Sequence, residues 1–152
     1  MDGRGESVLG GQFKGGKMGR PTIVCLCGST RFKDEFVKAN LKETLAGNIV
    51  LSIGCDMRTD KEIFGELSDD QETWSEEVKK TKEKLDELHI EKIKLADEIL
   101  VLNPGGYVGK STSKEIYHAL IWHKRIRALN PFICPICGEM VDTTDGLVHY
   151  CK

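Results

Sequence analysis

The chain has 152 residues, 39% hydrophobic and 30% charged, with 22 Lys plus Arg against 24 Asp plus Glu. At roughly 150 residues per domain this is one domain with a small appendage, long enough to bury a core without help from disulfides or metal. A formal charge of -2 and a pI near 6.1 argue against nucleic acid or anionic lipid as partners. No run approaches the roughly 18 apolar residues of a membrane helix, so no membrane association is expected.

Residues 1–20 hold seven glycines and no apolar periodicity, which fits a flexible tail rather than an export leader. The cytoplasm, with reduced cysteines, is the expected compartment. From Pro21 the character changes. Residues 22–27 form a short continuous apolar run, expected as a strand buried on both faces, which Gly28-Ser29-Thr30 ends. From Arg31 to about Ala46, Phe32, Phe36, Val37, Leu41 and Leu45 recur at helical spacing, with Asp34 and Glu35 favouring the helix start. Residues 49–53 read as a second strand. A polar stretch from 54 to 74 follows, too long for a simple turn.

Residues 75–96 predict a long charged helix whose buried stripe runs through Val78, Leu85, Leu88 and Ile93, with His89 on the same side. Residues 98–102 give a third strand, ending at Asn103-Pro104-Gly105-Gly106. A helix from Thr112 to about His123 and a short strand over 125–129 complete the alternation. The pattern predicts an α/β fold: a flavodoxin-like or Rossmann-like parallel sheet of four to five strands flanked by helices, over residues 21–130. Ligands in such sheets bind beyond the carboxyl ends of the strands, which directs attention to loops 28–31, 53–74 and 103–115.

Gly28-Ser29-Thr30-Arg31 joins a buried strand to a helix start, where free amides and hydroxyls favour an anion and Arg31 adds a fork for a phosphate or carboxylate. A turn glycine and a capping hydroxyl explain the same residue types. Residues 105–112 contain Gly109-Lys110-Ser111 after a strand, yet a phosphate-binding P-loop requires glycine where Pro104 stands. Glu115 has two readings. Placed in the first helical turn at the ligand end, its carboxylate can face a bound sugar; alternatively Thr112-x-x-Glu115 is a capping box. A lone buried histidine such as His89 is more often an interior residue than a catalyst. Trp74 and Tyr107 can stack on a base or pack as lid residues.

Three segments together resemble the nucleoside 2-deoxyribosyltransferase-like superfamily, which includes nucleoside 5'-monophosphate N-glycosidases. They are Cys27-Gly28-Ser29-Thr30-Arg31; Lys92-Ile93-x-x-Ala96-Asp97-Glu98-Ile99; and Gly106-Tyr107-x-Gly109-x-Ser111-Thr112-x-x-Glu115-Ile116. The resemblance spans about residues 22 to 130, including the step at 123–126 into the fourth strand. It implies cleavage of an N-glycosidic bond with Glu115 as nucleophile and no catalytic cofactor. Gly28, Ser29, Thr30 and Arg31 would surround sugar and base, and Tyr107, Gly109 and Ser111 would complete the substrate site. It also implies a homodimer. The chain departs from the pattern at His89, where many members carry aspartate, and at Ser111 and Ser113, where they carry glycine. The histidine can still protonate or orient a leaving base. The departures equally fit a module that binds nucleotides without cleaving them.

Residues 131–152 form a separate signal. Cys134-Pro135-Ile136-Cys137-Gly138 has the spacing of a zinc knuckle, and His149 and Cys151 offer two further ligands, closing a Cys3His zinc ribbon. Four protein ligands leave no open position, so this zinc would be structural. The ribbon carries no basic stripe that would grip nucleic acid.

Overall fold

The computed structural model describes residues 19–53 and 71–143. Its centre is a four-stranded, wholly parallel sheet in the order β2-β1-β3-β4, built from β1 (Ile23–Gly28), β2 (Ile49–Leu51), β3 (Glu98–Leu102) and β4 (Arg125–Ala128). Helices α1 (Lys33–Leu45), α2 (Glu76–Leu95) and α3 (Lys110–Ile121) alternate with the strands, giving the expected Rossmann-like α/β architecture with four main strands. A two-stranded antiparallel hairpin, β5 (Phe132–Ile133) with β6 (Met140–Val141), follows. No helix among the described residues is long and apolar enough to cross a membrane.

Strand β1 lies between β2 and β3, and the chain leaves it in one direction and returns on its other side. The switch of direction opens a crevice at the carboxyl ends of β1 and β3, where sheets of this type take ligands. The two strands approach closely there. A Cβ on Gly28 would stand 2.8 Å from the Leu102 carbonyl oxygen, so only glycine fits the end of β1 without moving β3.

The period of two along β1 divides the core. Val24 and Leu26 pack with Phe36, Ala39, Leu100 and Leu102 beneath α1. Cys25 and Cys27 point the other way, among Ile93, Ile99, Val101, Ile116, Ala119 and Ile126 beneath α2 and α3. Phe132, Cys134 and Val141 of the hairpin join this second cluster, and the Ala128 amide donates to Thr143 Oγ1 at 2.8 Å.

Several elements differ from the sequence expectation. In α1 the buried row is Phe36, Ala39 and Glu43, whereas Val37, Leu41 and Leu45 are exposed. Burying an acid lets the helix turn this face inward: Arg127 Nη2 donates to Glu43 Oε1 at 2.6 Å, and Asn48 Nδ2 donates to the same oxygen at 3.0 Å. In α2, Leu88 is exposed and the inner face runs through Leu85, His89 and Ile93, with Lys82 and Asp86 half-buried. Helix α3 starts at Lys110, two residues before the expected Thr112, because extended Gly109 serves as its N-cap. Strand β2 stops at Leu51 rather than at residue 53.

Candidate functional site

The earlier start of α3 decides between the readings of Glu115. With Gly109 as N-cap, Glu115 is the sixth helical residue, in the second turn and not the first. Thr112 is buried inside the first turn, so the two do not form a capping box. Freed from that task, Glu115 turns toward α2: its Oε2 lies 3.8 Å from His89 Nε2, and its side chain is 12% exposed. Oε1 is buried with no hydrogen-bond partner, and so is His89 Nδ1. Buried polar atoms left unpaired cost stability, and their concentration at one place marks a site rather than scaffolding.

His89 reaches this position as the buried residue three helical turns into α2. Its Nε2 also lies 3.7 Å from Cys25 Sγ and 3.7 Å from Cys27 Sγ. Cys25, Cys27 and His89 bring their ligand atoms within 4.8 Å of one another, a set that can hold a metal ion. The sequence reading places both cysteines in the buried first strand, with Cys27 in the first resembling segment, and assigns neither a ligand role. A signal was available, since Cys-x-Cys in a buried strand places both thiols on one face.

Each group is perturbed by its neighbours. Burial pushes the Glu115 carboxyl up to about 7, against the opposing pull of His89. Burial alone would lower His89, but the Cys25 contact and the Glu115 charge raise it. The contact with Cys27 lowers the Cys25 thiol to about 6, with His89 helping, whereas burial pushes the Cys27 thiol well up. Displaced carboxyl, imidazole and thiol groups in one cluster make it a candidate functional site. Lys82 and Asp86, joined by a 2.9 Å ion pair on the same face of α2, add opposing fields at Glu115.

Of the three expected substrate loops, residues 54–70 of the middle one lie outside the described residues, and the other two meet over the crevice. Ser29 Oγ accepts from the Arg31 amide at 3.3 Å and so caps only the short turn at Thr30–Phe32, whereas α1 itself starts after Phe32 with no side-chain cap, unlike the helix cap expected of Ser29 or Thr30. The Arg31 guanidinium sits 4.5 Å above the Tyr107 ring, and Phe32 meets the same ring edge-on at 5.9 Å. These contacts join the loop after β1 to the loop after β3. A Cβ on Gly109 would stand 3.1 Å from the Tyr107 hydroxyl, so glycine leaves room for that ring. Ser111 lies in the first turn of α3, which has no side-chain cap and no acidic residue. Anchoring the second loop is a residue the sequence reading passed over. Asn103, fully buried, donates to the Asn130 carbonyl at 2.8 Å and accepts from its amide at 3.0 Å, while Asn130 Nδ2 donates to the Asn103 carbonyl at 2.9 Å. The structure thus brings Glu115 together with His89, and Arg31 together with Tyr107.

Of the four expected zinc-ribbon ligands, Cys134 and Cys137 are described; His149 and Cys151 lie outside the described residues. Cys134 is buried and Cys137 exposed at the tip between β5 and β6. No known family, curated protein or solved structure matches this chain.

Proposed function

We propose that the protein cleaves the N-glycosidic bond of a nucleoside 5'-monophosphate or nucleoside, with Glu115 as the nucleophile. The observation behind this reading is a carboxyl buried beside the ligand end of a Rossmann-like sheet, facing His89, with one oxygen unpartnered. Glu115 would attack the anomeric carbon as the bond to the base breaks. The bonding pair would leave with the base nitrogen, which takes a proton from His89. Water, or a second base, would then release the sugar from the resulting ester. Arg31 and Tyr107 would flank the base. The uncapped start of α3, carrying Lys110, Ser111 and Lys114, would hold the 5'-phosphate.

A structural zinc ion on Cys134, Cys137, His149 and Cys151 belongs to the same reading. The Ile136 amide donates to Cys134 Sγ at 3.4 Å, and Gly138 adopts φ +75°, the local geometry of a thiolate knuckle. The proposed assembly is a homodimer in the cytoplasm.

The test is a chromatographic search for free base released from ribo- and deoxyribonucleosides, their 5'-monophosphates and NAD, with Glu115→Gln alongside. Release that disappears in a folded Glu115→Gln variant is the expected result. The slight exposure of Glu115 favours a second reading, a nucleotide-binding module without turnover. Nucleotide binding by the wild type with no base released from any substrate would replace the first reading by the second.

A further inference from the structure

The cluster of Cys25, Cys27 and His89 contains more than one reaction nucleophile needs. Two thiols buried in the central strand and one imidazole converge, and neither thiol has a part in glycosidic chemistry. The distances between their ligand atoms are informative. Both sulfur-to-nitrogen separations are 3.7 Å. Bond lengths of about 2.3 Å to sulfur and 2.05 Å to nitrogen, at a tetrahedral angle, place such donors about 3.6 Å apart. Glu115 Oε2, 3.8 Å from His89 Nε2, borders this set of three donors without completing it. The histidine side chain is 8% exposed. Neighbouring helix α2 supplies both signs of charge, with Lys82 and Asp86 on its inner face, and Lys92 Nζ is held by the Ser52 carbonyl at 2.7 Å.

We propose that Cys25 Sγ, Cys27 Sγ and His89 Nε2 form a three-donor binding site for a thiophilic divalent cation of the zinc class, its fourth position taken by solvent, separate from the C-terminal ribbon. Two thiolates and an imidazole suit such an ion and disfavour magnesium or calcium, which take oxygen ligands. The thiols would lose their protons to solvent on binding. Occupancy engages the His89 imidazole that would protonate the leaving base, so metal and glycosidic chemistry exclude one another. That last consequence rests on the proposed function; the metal site itself does not.

The experiment is a titration of cobalt(II) into the reduced full chain carrying Cys134→Ser, Cys137→Ser and Cys151→Ser, which removes the ribbon thiols. The expected result is one equivalent bound with the strong visible absorption of tetrahedral thiolate cobalt, bleached by zinc. Adding Cys25→Ala and Cys27→Ala should abolish the absorption. His89→Gln supplies a second test if the alanine variant fails to fold. In the same ribbon-free background, Glu115→Gln should retain the sulfur-to-metal band, because the three donors are left in place. A folded ribbon-free protein with no cobalt absorption, or absorption unchanged by loss of Cys25 and Cys27, overturns the site. Base release without cobalt binding removes the metal site and keeps the nucleophile, whereas cobalt binding without base release does the reverse. If both hold, one equivalent of zinc should suppress base release in the ribbon-free protein and a chelator restore it.

Discussion

The two faces of the sheet treat buried charge in opposite ways. Under α1 the centre is apolar, and the ionised groups stand at its margin with partners: Arg127 bridges Glu43 at 2.6 Å and Glu98 at 2.8 Å, and Arg125 reaches Glu98 at 3.3 Å. Under α2 and α3 the titratable groups occupy the centre, among apolar residues, and two of their polar atoms have no partner. The same strand, β1, supplies Val24 and Leu26 to one face and Cys25 and Cys27 to the other. Paired charge at a margin holds a structure together. Unpaired charge at a centre lowers stability and is kept where it does chemistry.

The contrast breaks most visibly at Arg127. Arg127→Met removes the partner of two carboxylates that remain buried, Glu43 and Glu98, and should cost about 3–5 kcal/mol in a urea unfolding experiment. Base release measured below the unfolding transition should not change, because Arg127 lies on the opposite face. A loss under about 1 kcal/mol would show that this ionic margin is solvated and contributes as little as an ordinary surface pair.

Glu115→Met should move stability the other way. It replaces a buried carboxyl with an unpartnered oxygen by an apolar chain of similar size. A gain of about 1–3 kcal/mol is expected at pH 8, measured with chelator present so that metal does not offset it. Destabilisation by the same amount would place Glu115 with Arg127's partners, as a structural acid, and would weaken the case for a nucleophile.

Acid should distinguish the faces with a smaller effect. Burial opposes ionisation of Glu43, but the hydrogen bonds and charge of Arg127 outweigh it and hold the carboxyl below its ordinary value of 4.5. A depressed folded value means that Glu43 contributes its full stability above the unfolded value, and loses it as pH falls through the folded one. Unfolding free energy followed downward from pH 5 should therefore decline, and Glu43→Gln should flatten that decline. An unchanged acid limb in Glu43→Gln would assign the loss to other carboxylates.

The sequence disclosed the alternation of strands and helices well, because buried parallel strands are continuous apolar runs and their helices carry a 3.6-residue period. It singled out Glu115 by its place after the third strand and His89 by its helical spacing with Leu85 and Ile93, while their catalytic roles came only from the family resemblance. The cysteine cluster stayed hidden because it depends on a contact across 62 to 64 residues, between β1 and α2, which no local period encodes. Helix phase was also misread in α1, for a related reason. Residues 37, 41 and 45 are the more apolar row, and only the distant Arg127 makes it possible for Glu43 to face inward.

That helix supplies the smallest and most discriminating comparison. Leu41 is 61% exposed on α1, one turn from Val37 and Leu45, which are exposed as well, whereas Phe36 is 1% exposed against Leu26 and Leu102. Leu41→Lys exchanges one solvated side chain for another of good helix propensity and should alter unfolding free energy by no more than about 0.5 kcal/mol. Phe36→Ala in the same helix should cost about 3–5 kcal/mol through lost burial and the cavity left behind. Were the two results reversed, α1 would present the row 37–41–45 to the sheet and turn Glu43 outward. The pairing of Glu43 with Arg127 would then be lost, and with it the ordered margin that sets this face apart from the one that holds Glu115 and His89.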